Sequence, residues 1–170
     1  MELGQAVKIK QAKGFSLIEL IIVIAILGIV SAIAAPNFNK YRQNTNLREA
    51  ARDLSSDISF WRQRAVADNV RYRITFNQAA NNYTVQRETT SGSGAYADLV
   101  PAVTKSPSAI SGGSVIISNI GLANQWITFQ PRGTMDLGSV TLQHTIRLST
   151  ATIRTYFTGR VVNVTYNLQN

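Results

Sequence analysis

The sequence predicts an α+β protein. One long N-terminal helix, apolar in its first half and amphipathic in its second, packs on an antiparallel β-sheet domain. Three observations carry this. Leu17 to Ala35 is apolar apart from Glu19 and Ser31. From Leu47 to Ala65 apolar residues recur at helical steps. Beyond Asn69 the period falls to two, and β-branched residues crowd into short segments punctuated by turn residues.

The apolar run comes first. As a helix, Leu17 to Ala35 measures about 29 Å at ~1.5 Å per residue, close to the ~30 Å hydrocarbon core of a bilayer. Lys8, Lys10 and Lys13 precede it, and the next basic residue is Lys40. The positive-inside bias therefore leaves the N-terminus in the cytoplasm and everything beyond Pro36 on the far side. Glu19 is the informative residue, because a carboxylate in an apolar helix costs of the order of a few kcal/mol and calls for a partner. One candidate is an α-amino group created by cutting the chain between Gly14 and Phe15, one helical turn away, or the same amine on a neighbouring molecule. The other is hydration of Glu19 at the cytoplasmic interface.

Lys13-Gly14-Phe15-Ser16-Leu17-Ile18-Glu19-Leu20 resembles the cleavage and methylation motif of type IV prepilins and type II secretion pseudopilins. The resemblance implies that residues 1–14 are a leader cut after Gly14 by a prepilin peptidase/methyltransferase. It implies that Phe15 becomes the N-methylated first residue. Glu19 is then expected to pair with the Phe15 amine of an adjacent subunit during filament assembly. Residues 15–36 would be the transmembrane and assembly helix, with Pro36 at the position of a helix-kinking proline, and residues 37–170 a periplasmic pilin-like domain held at the bacterial inner membrane. A secretory signal peptide is the rival, since Ala32-Ile33-Ala34 before Ala35 mimics an A-x-A cleavage site. The apolar run exceeds the usual signal core, Glu19 interrupts it, and Pro36 crowds that cut.

After Pro36 the helical period resumes. Leu47, Ala50, Ala51, Leu54, Ile58, Trp61 and Ala65 form one stripe, so a single helix is expected from about 16 to 67, with residues 37–68 amphipathic. The β region then runs over 69–170. Val70, Tyr72, Ile74 and Phe76 alternate with Arg71, Arg73 and Thr75; 77–82 reads as a turn and 83–88 as the partner strand. Residues 89–113 are rich in Ser, Gly, Thr and Pro and are expected to form a long loop. Further strands are expected at 114–118, 125–130, 139–142, 145–149, 152–158 and 161–167. The stretches Trp126 to Thr134, Gly138-Ser139-Val140 and Phe157 to Val161 look like the C-terminal domain of the GspH/FimT group of minor pseudopilins and pilins. Arg62-Gln63-Arg64-Ala65 ahead of the Val70 strand fits the helix-to-sheet join of that group.

Composition narrows the function. The 170 residues suffice for one domain plus a membrane helix, and the absence of cysteine removes disulfides, thiol nucleophiles and thiolate metal sites. His144, the only histidine, lacks a nucleophile motif and reads as a surface or half-buried side chain. After Asp68 the acidic residues are only Glu88, Asp98 and Asp136, too sparse for a metal cluster, so neither an enzyme nor a cofactor is expected. The formal charge of +8, or +6 without residues 1–14, leaves open nucleic acid, anionic lipid or acidic partner subunits. Arg62, Arg64, Arg71 and Arg73 bunch around the helix-to-strand join, and Arg147, Arg154 and Arg160 recur later. Together they are a candidate stripe for DNA or a partner protein, although 163–170 carries no charge. The expected function is a minor pilin or pseudopilin that primes or caps a filament with other pilins; a DNA receptor for uptake is the alternative.

Replacing Gly14 by alanine or a larger residue is expected to leave the leader attached. Intact mass spectrometry of the cell-envelope protein reads this directly, and an unchanged mature mass would contradict the assignment.

Overall fold

The computed structural model describes residues 14–158 and 163–169. The chain divides into two compact units, Met1–Asn39 and Lys40–Asn170. Helix α1 spans Leu17–Asp68 and contributes to both.

In the first unit every residue from Gly14 to Ala35 is exposed, including the large apolar side chains on every face of the helix. Nothing within this unit buries them. A helix that is apolar all round requires a non-aqueous surrounding, either lipid or other helices. It is long and apolar enough to cross a membrane. The expected kink at Pro36 lies outside what the structure describes at that side chain.

The second unit carries a complete core of its own. Leu47, Ala50, Ala51, Leu54, Ile58 and Ala65 of α1 are buried, with Trp61 partly so, while Arg48, Glu49, Arg52 and Arg64, together with Tyr41, Phe60 and Val66, face outward. The expected stripe is therefore the packed one. Two four-stranded antiparallel sheets complete the core. Sheet A is built from β1 (Tyr72–Asn77), β2 (Asn82–Glu88), β3 (Tyr96–Lys105) and β5 (Trp126–Phe129), in the order β3-β2-β1-β5. Sheet B holds β4 (Val115–Gly121), β6 (Gly138–His144), β7 (Thr150–Thr155) and β8 (Asn163–Asn167), in the order β4-β6-β7-β8. Ile74, Phe76, Val85, Ile127 and Phe129 line the core from sheet A; Val115, Ile117, Val140, Leu142 and Ile153 line it from sheet B. Alternate residues face outward, as one-sided burial of an antiparallel sheet demands.

The join between α1 and β1 is built by the backbone. Asn69 adopts a left-handed conformation (φ 51°), its N–H donates to the Val66 carbonyl at 3.4 Å, and Val70 N–H donates to Ala65 O at 3.3 Å. That is a Schellman ending with asparagine in the glycine position. It consumes Asn69 and Val70, so the strand expected from Val70 begins at Tyr72 instead. Tyr72 Oη then donates to Asp68 at 2.6 Å, locking strand to helix end.

Three expectations are corrected. Residues 89–113 are not a loop, because they contain β3 and the short helix α2 (Pro107–Ser111). β3 buries almost nothing, and residues 99–102 fall at a register shift around Pro101, so no alternation marks it in the sequence. α2 is bracketed by Ser106, whose side chain accepts from Ser108 N–H, by Pro107 in its first turn, and by left-handed Gly112 at its end. Residues 145–149 are a hairpin turn, not a strand. The His144 N–H donates to Ser149 O at 2.9 Å, and the Leu148 N–H returns to His144 O at 2.9 Å, closing the loop between β6 and β7. His144 itself is buried at 1% exposure, which overturns the expectation of a surface or half-buried side chain.

Gly138 is required by close approach. A Cβ there would collide with the Leu122 side chain and lie 2.8 Å from Gly121 O, and its φ is not positive. Gly138→Ala is expected to destabilise the 40–170 segment by ~1–3 kcal/mol, the usual cost of overpacking. Urea unfolding monitored by tryptophan fluorescence tests this; unchanged stability would contradict the packing.

Candidate functional site

Two places gather the chemistry anticipated from the sequence. The first is the head of α1. Ser16 precedes the first helical residue, and its carbonyl accepts from Leu20 N–H at 3.1 Å, as an N-cap does. Glu19 therefore occupies the third helical position, so Ser16 and Glu19 stand at capping-box spacing. An acid in a first turn is also favoured by the helix dipole. Residue spacing carried this signal, and regarding Glu19 only as a bare charge in an apolar run overlooks it. Phe15 is 81% exposed and Glu19 is exposed beside it, so both are open to partners. A cut at Gly14 would make the Phe15 nitrogen the new terminus, four residues from Glu19.

The second is the set of arginines. Arg62 and Arg64 lie in the last turns of α1, and Arg64 Nε pairs with Asp68 at 2.8 Å on the surface. The Tyr72 hydroxyl, then Arg64, hold the Asp68 carboxyl below its ordinary range. Arg71 and Arg73 project from the outer face of sheet A, and both are engaged there. Arg71 Nε donates to Gln130 at 2.8 Å and Nη1 lies 3.3 Å from Glu88 Oε1. Arg73 Nε donates to Gln86, while its guanidinium sits 4.2 Å from the Tyr96 ring centre and 4.9 Å from that of Trp126. Such aromatic contacts hold a cation flat against the sheet.

Glu88 is buried at 3% exposure. Burial pushes its carboxyl up, but the N–H groups of Gly94 and Gly92, and then Arg71, outweigh this and hold it low. Arg147 and Arg154 belong to the β6–β7 hairpin of sheet B. Arg147 is in the β6–β7 turn, whereas Arg154 is exposed on β7 opposite Ser139, at the far end of the same hairpin. Arg160 lies outside the described residues. The described arginines thus sit on α1, on β1 and just before it, in the β6–β7 turn and on β7.

Other polar side chains are structural. Asp57 accepts from Tyr83 Oη and from Lys105 Nζ, both at 2.8 Å, tying α1 to β2 and β3. Burial, then Asp57, pushes the Tyr83 phenol up, so it remains a neutral donor. A groove of about 540 Å³ beside this clamp is lined by Asp53, Lys105, Ser106 and Asn82. Among the described residues there is no group of three metal-ligating side chains. His144, the base candidate, spends Nδ1 accepting the Ile146 and Arg147 N–H groups at 3.3 and 3.4 Å. It is a turn clasp.

These features have counterparts. Residues 9–35 match the prokaryotic N-terminal methylation motif, and residues 50–165 match the family described as type II transport protein GspH. A Pseudomonas aeruginosa fimbrial protein is 47% identical over 47 residues, covering 28% of this chain and 30% of that one. The type IV major fimbrial protein FimA of Dichelobacter nodosus is 34% identical over 80 residues, covering 47% and 42%. The chain thus spans less than half the length of these two relatives. In fold it is similar to the minor pseudopilin EpsH from the type 2 secretion system of Vibrio cholerae. The TM-score is 0.54 at 6% identity, over 72% of this chain and 97% of that one.

Burial, and secondarily Arg147, hold the His144 imidazole below its ordinary range, so the fold keeps it neutral. The unfolded chain takes up the proton first, near pH 6.5. Stability from neutral His144 is therefore complete above about pH 6.5 and declines as the pH falls below it. The melting temperature of the 40–170 segment is expected to drop between pH 7 and 5.5, and His144→Gln to flatten that slope. A slope unchanged by the substitution would contradict this.

The match over residues 50–165 makes the chain a member of the type II transport protein GspH family, and the N-terminal methylation motif and the two antiparallel sheets packed on α1 accord with it.

Proposed function

We propose that the chain is a non-catalytic structural subunit that primes or caps a type II secretion pseudopilus or a type IV pilus. The observation that carries this is the apolar helix, exposed over its whole circumference and joined to a domain with a complete core of its own. Before assembly the helix rests in the inner membrane, with the leader cytoplasmic and the 37–170 domain periplasmic. The prepilin peptidase/methyltransferase removes residues 1–14 and methylates the Phe15 amine. Glu19 then receives that amine from a neighbouring subunit.

The energetics favour this order. Exchanging lipid for packed helices costs little apolar burial, whereas an unpaired carboxylate inside a filament core is penalised by several kcal/mol. An amine brought to within about 4 Å offsets much of that penalty, because the two opposite charges then attract strongly in the apolar surrounding. Net positive charge speaks for a DNA receptor, but Arg71 and Arg73 are already engaged on sheet A. The structural subunit is accordingly the reading we adopt.

Glu19→Val and Glu19→Ala are expected to insert in the membrane at the wild-type level and be absent from sheared filaments. Immunoblots of membrane and filament fractions measure both. Normal incorporation would remove the role given to Glu19.

A further inference from the structure

The β6–β7 turn leaves two large apolar side chains in water. Ile146 is 73% exposed and Leu148 60%, with a partly exposed Arg147 between them. The base beneath them is firmly built. The buried His144 ring accepts the Ile146 and Arg147 N–H groups, and Thr145 N–H donates to Ser114 O at 2.9 Å. The fold therefore presents this tip in a fixed form.

The tip stands at the end of the second unit where the chain enters at Lys40. Ser149 Oγ donates to Asn44 of α1 at 3.4 Å, and Asn46 donates to Ser111 O at 3.3 Å, beside the Ser114 that holds Thr145. The other end of the hairpin lies toward the end of α1. There Thr155 Oγ1 donates to Asp136 O at 2.8 Å, and Gly133, in the turn before Asp136, lies against the Val66 side chain. Leu137, Tyr156 and Phe157 are exposed at that end too, so apolar exposure by itself selects neither.

Charge and chain continuity do select. From the entry along α1 the ionic side chains are Lys40, Arg42, Arg48, Glu49 and Arg52, and the Arg48 guanidinium lies 5.6 Å from the Tyr166 ring centre. The next acids on the helix, Asp53 and Asp57, are held by Lys105. Among the described residues no carboxylate pairs with Arg147, and its Nη1 meets no acceptor. This end is thus basic, with an unanswered cation between two apolar side chains. Asn44 stands nine residues beyond Ala35, the last residue of the apolar run. Nine helical residues measure about 14 Å at ~1.5 Å each, and two residues of hairpin reach back by about 7 Å. What remains is roughly the depth of a headgroup layer.

We propose that the β6–β7 turn is a membrane-surface anchor. In the subunit awaiting assembly, Ile146 and Leu148 enter the headgroup layer of the leaflet on the domain's side, and Arg147 pairs with an anionic lipid phosphate. This rests on the membrane-held state of the functional reading above. Apolar side chains flanking a cation are what an interfacial segment offers an anionic bilayer. The exposed Tyr41 beside Lys40 supplies the aromatic and basic pair favoured at the same depth. Helix and turn together hold the domain at one tilt, and entry into a filament has to break the second contact.

The chain has no cysteine, so Ile146→Cys, Leu137→Cys and Ile24→Cys can each carry one fluorophore. Each full-length protein is placed at one copy per nanodisc of phosphatidylethanolamine and phosphatidylglycerol, with and without nitroxide-bearing lipid. Labels at 24 and 146 are expected to be quenched, the latter about threefold or more above the label at 137. If 24 is quenched and 146 no more than 137, the turn does not touch lipid and the membrane reading stands. If 24 is not quenched, the membrane reading fails and takes this proposal with it. Adding Arg147→Gln to Ile146→Cys is expected to lower quenching about twofold in these discs and less in phosphatidylcholine; an equal effect in both would overturn the phosphate pairing. A label at 146 that escapes lipid quenching in single-copy discs, yet becomes shielded from iodide once copies share a liposome, would overturn the lipid in favour of a neighbouring subunit.

Discussion

An apolar helix that its own chain does not cover is the constraint on which the rest depends. Leu17 to Ala35 exposes leucine, isoleucine and valine on every side. At roughly 1.5–3 kcal/mol per large side chain, leaving that surface in water is untenable. The segment must lie in lipid, against other helices, or in each in turn. Because both surroundings are apolar, moving between them changes little burial free energy. What distinguishes them is the handling of Glu19, the single charge in the run, set where a helix start already tolerates an acid.

The unit beyond Lys40 contains a hydrophobic core of its own. Its core begins at Leu47 and closes between two sheets. The turn from helix to strand is secured by the left-handed Asn69, by Tyr72 on Asp68, and by the tilted Trp61–Tyr72 ring contact at 5.4 Å. Asp57, Tyr83 and Lys105 clamp the helix to sheet A, and Asn81 bridges from the β1–β2 turn to the edge of sheet B. A domain stabilised internally in this way can remain folded while its anchor exchanges one apolar environment for another.

Much of this was legible in the residues. The stripe from Leu47 to Ala65 and the alternation from Tyr72 to Phe76 follow from periods of 3.6 and 2, because each faces the core on one side only. β3 was illegible for the opposite reason: an edge strand that buries little has no pattern to show. α2 did carry a signal, the Ser106-Pro107 opening and Gly112 close, which was masked by a stretch otherwise rich in loop residues. The 145–149 turn reads as a strand because Thr145 and Ile146 suit one; what decides is the buried His144 ring accepting the Ile146 and Arg147 N–H groups, which residue type alone does not show. At the head of α1 the motif was plain in the sequence. For the arginines only proximity in sequence was visible, and folding parted Arg147 from Arg154 while tying Arg71 and Arg73 to their neighbours on sheet A.

The central claim is that Phe15 becomes the terminal residue whose amine meets Glu19. N-terminal sequencing of the protein purified from its host envelope tests it most directly. The account predicts N-methylphenylalanine followed by Ser16 and Leu17. A product beginning at Ala35 or Pro36 would mean the helix is discarded as a signal peptide, and one retaining Met1 would mean no amine is ever freed beside Glu19; either contradicts it.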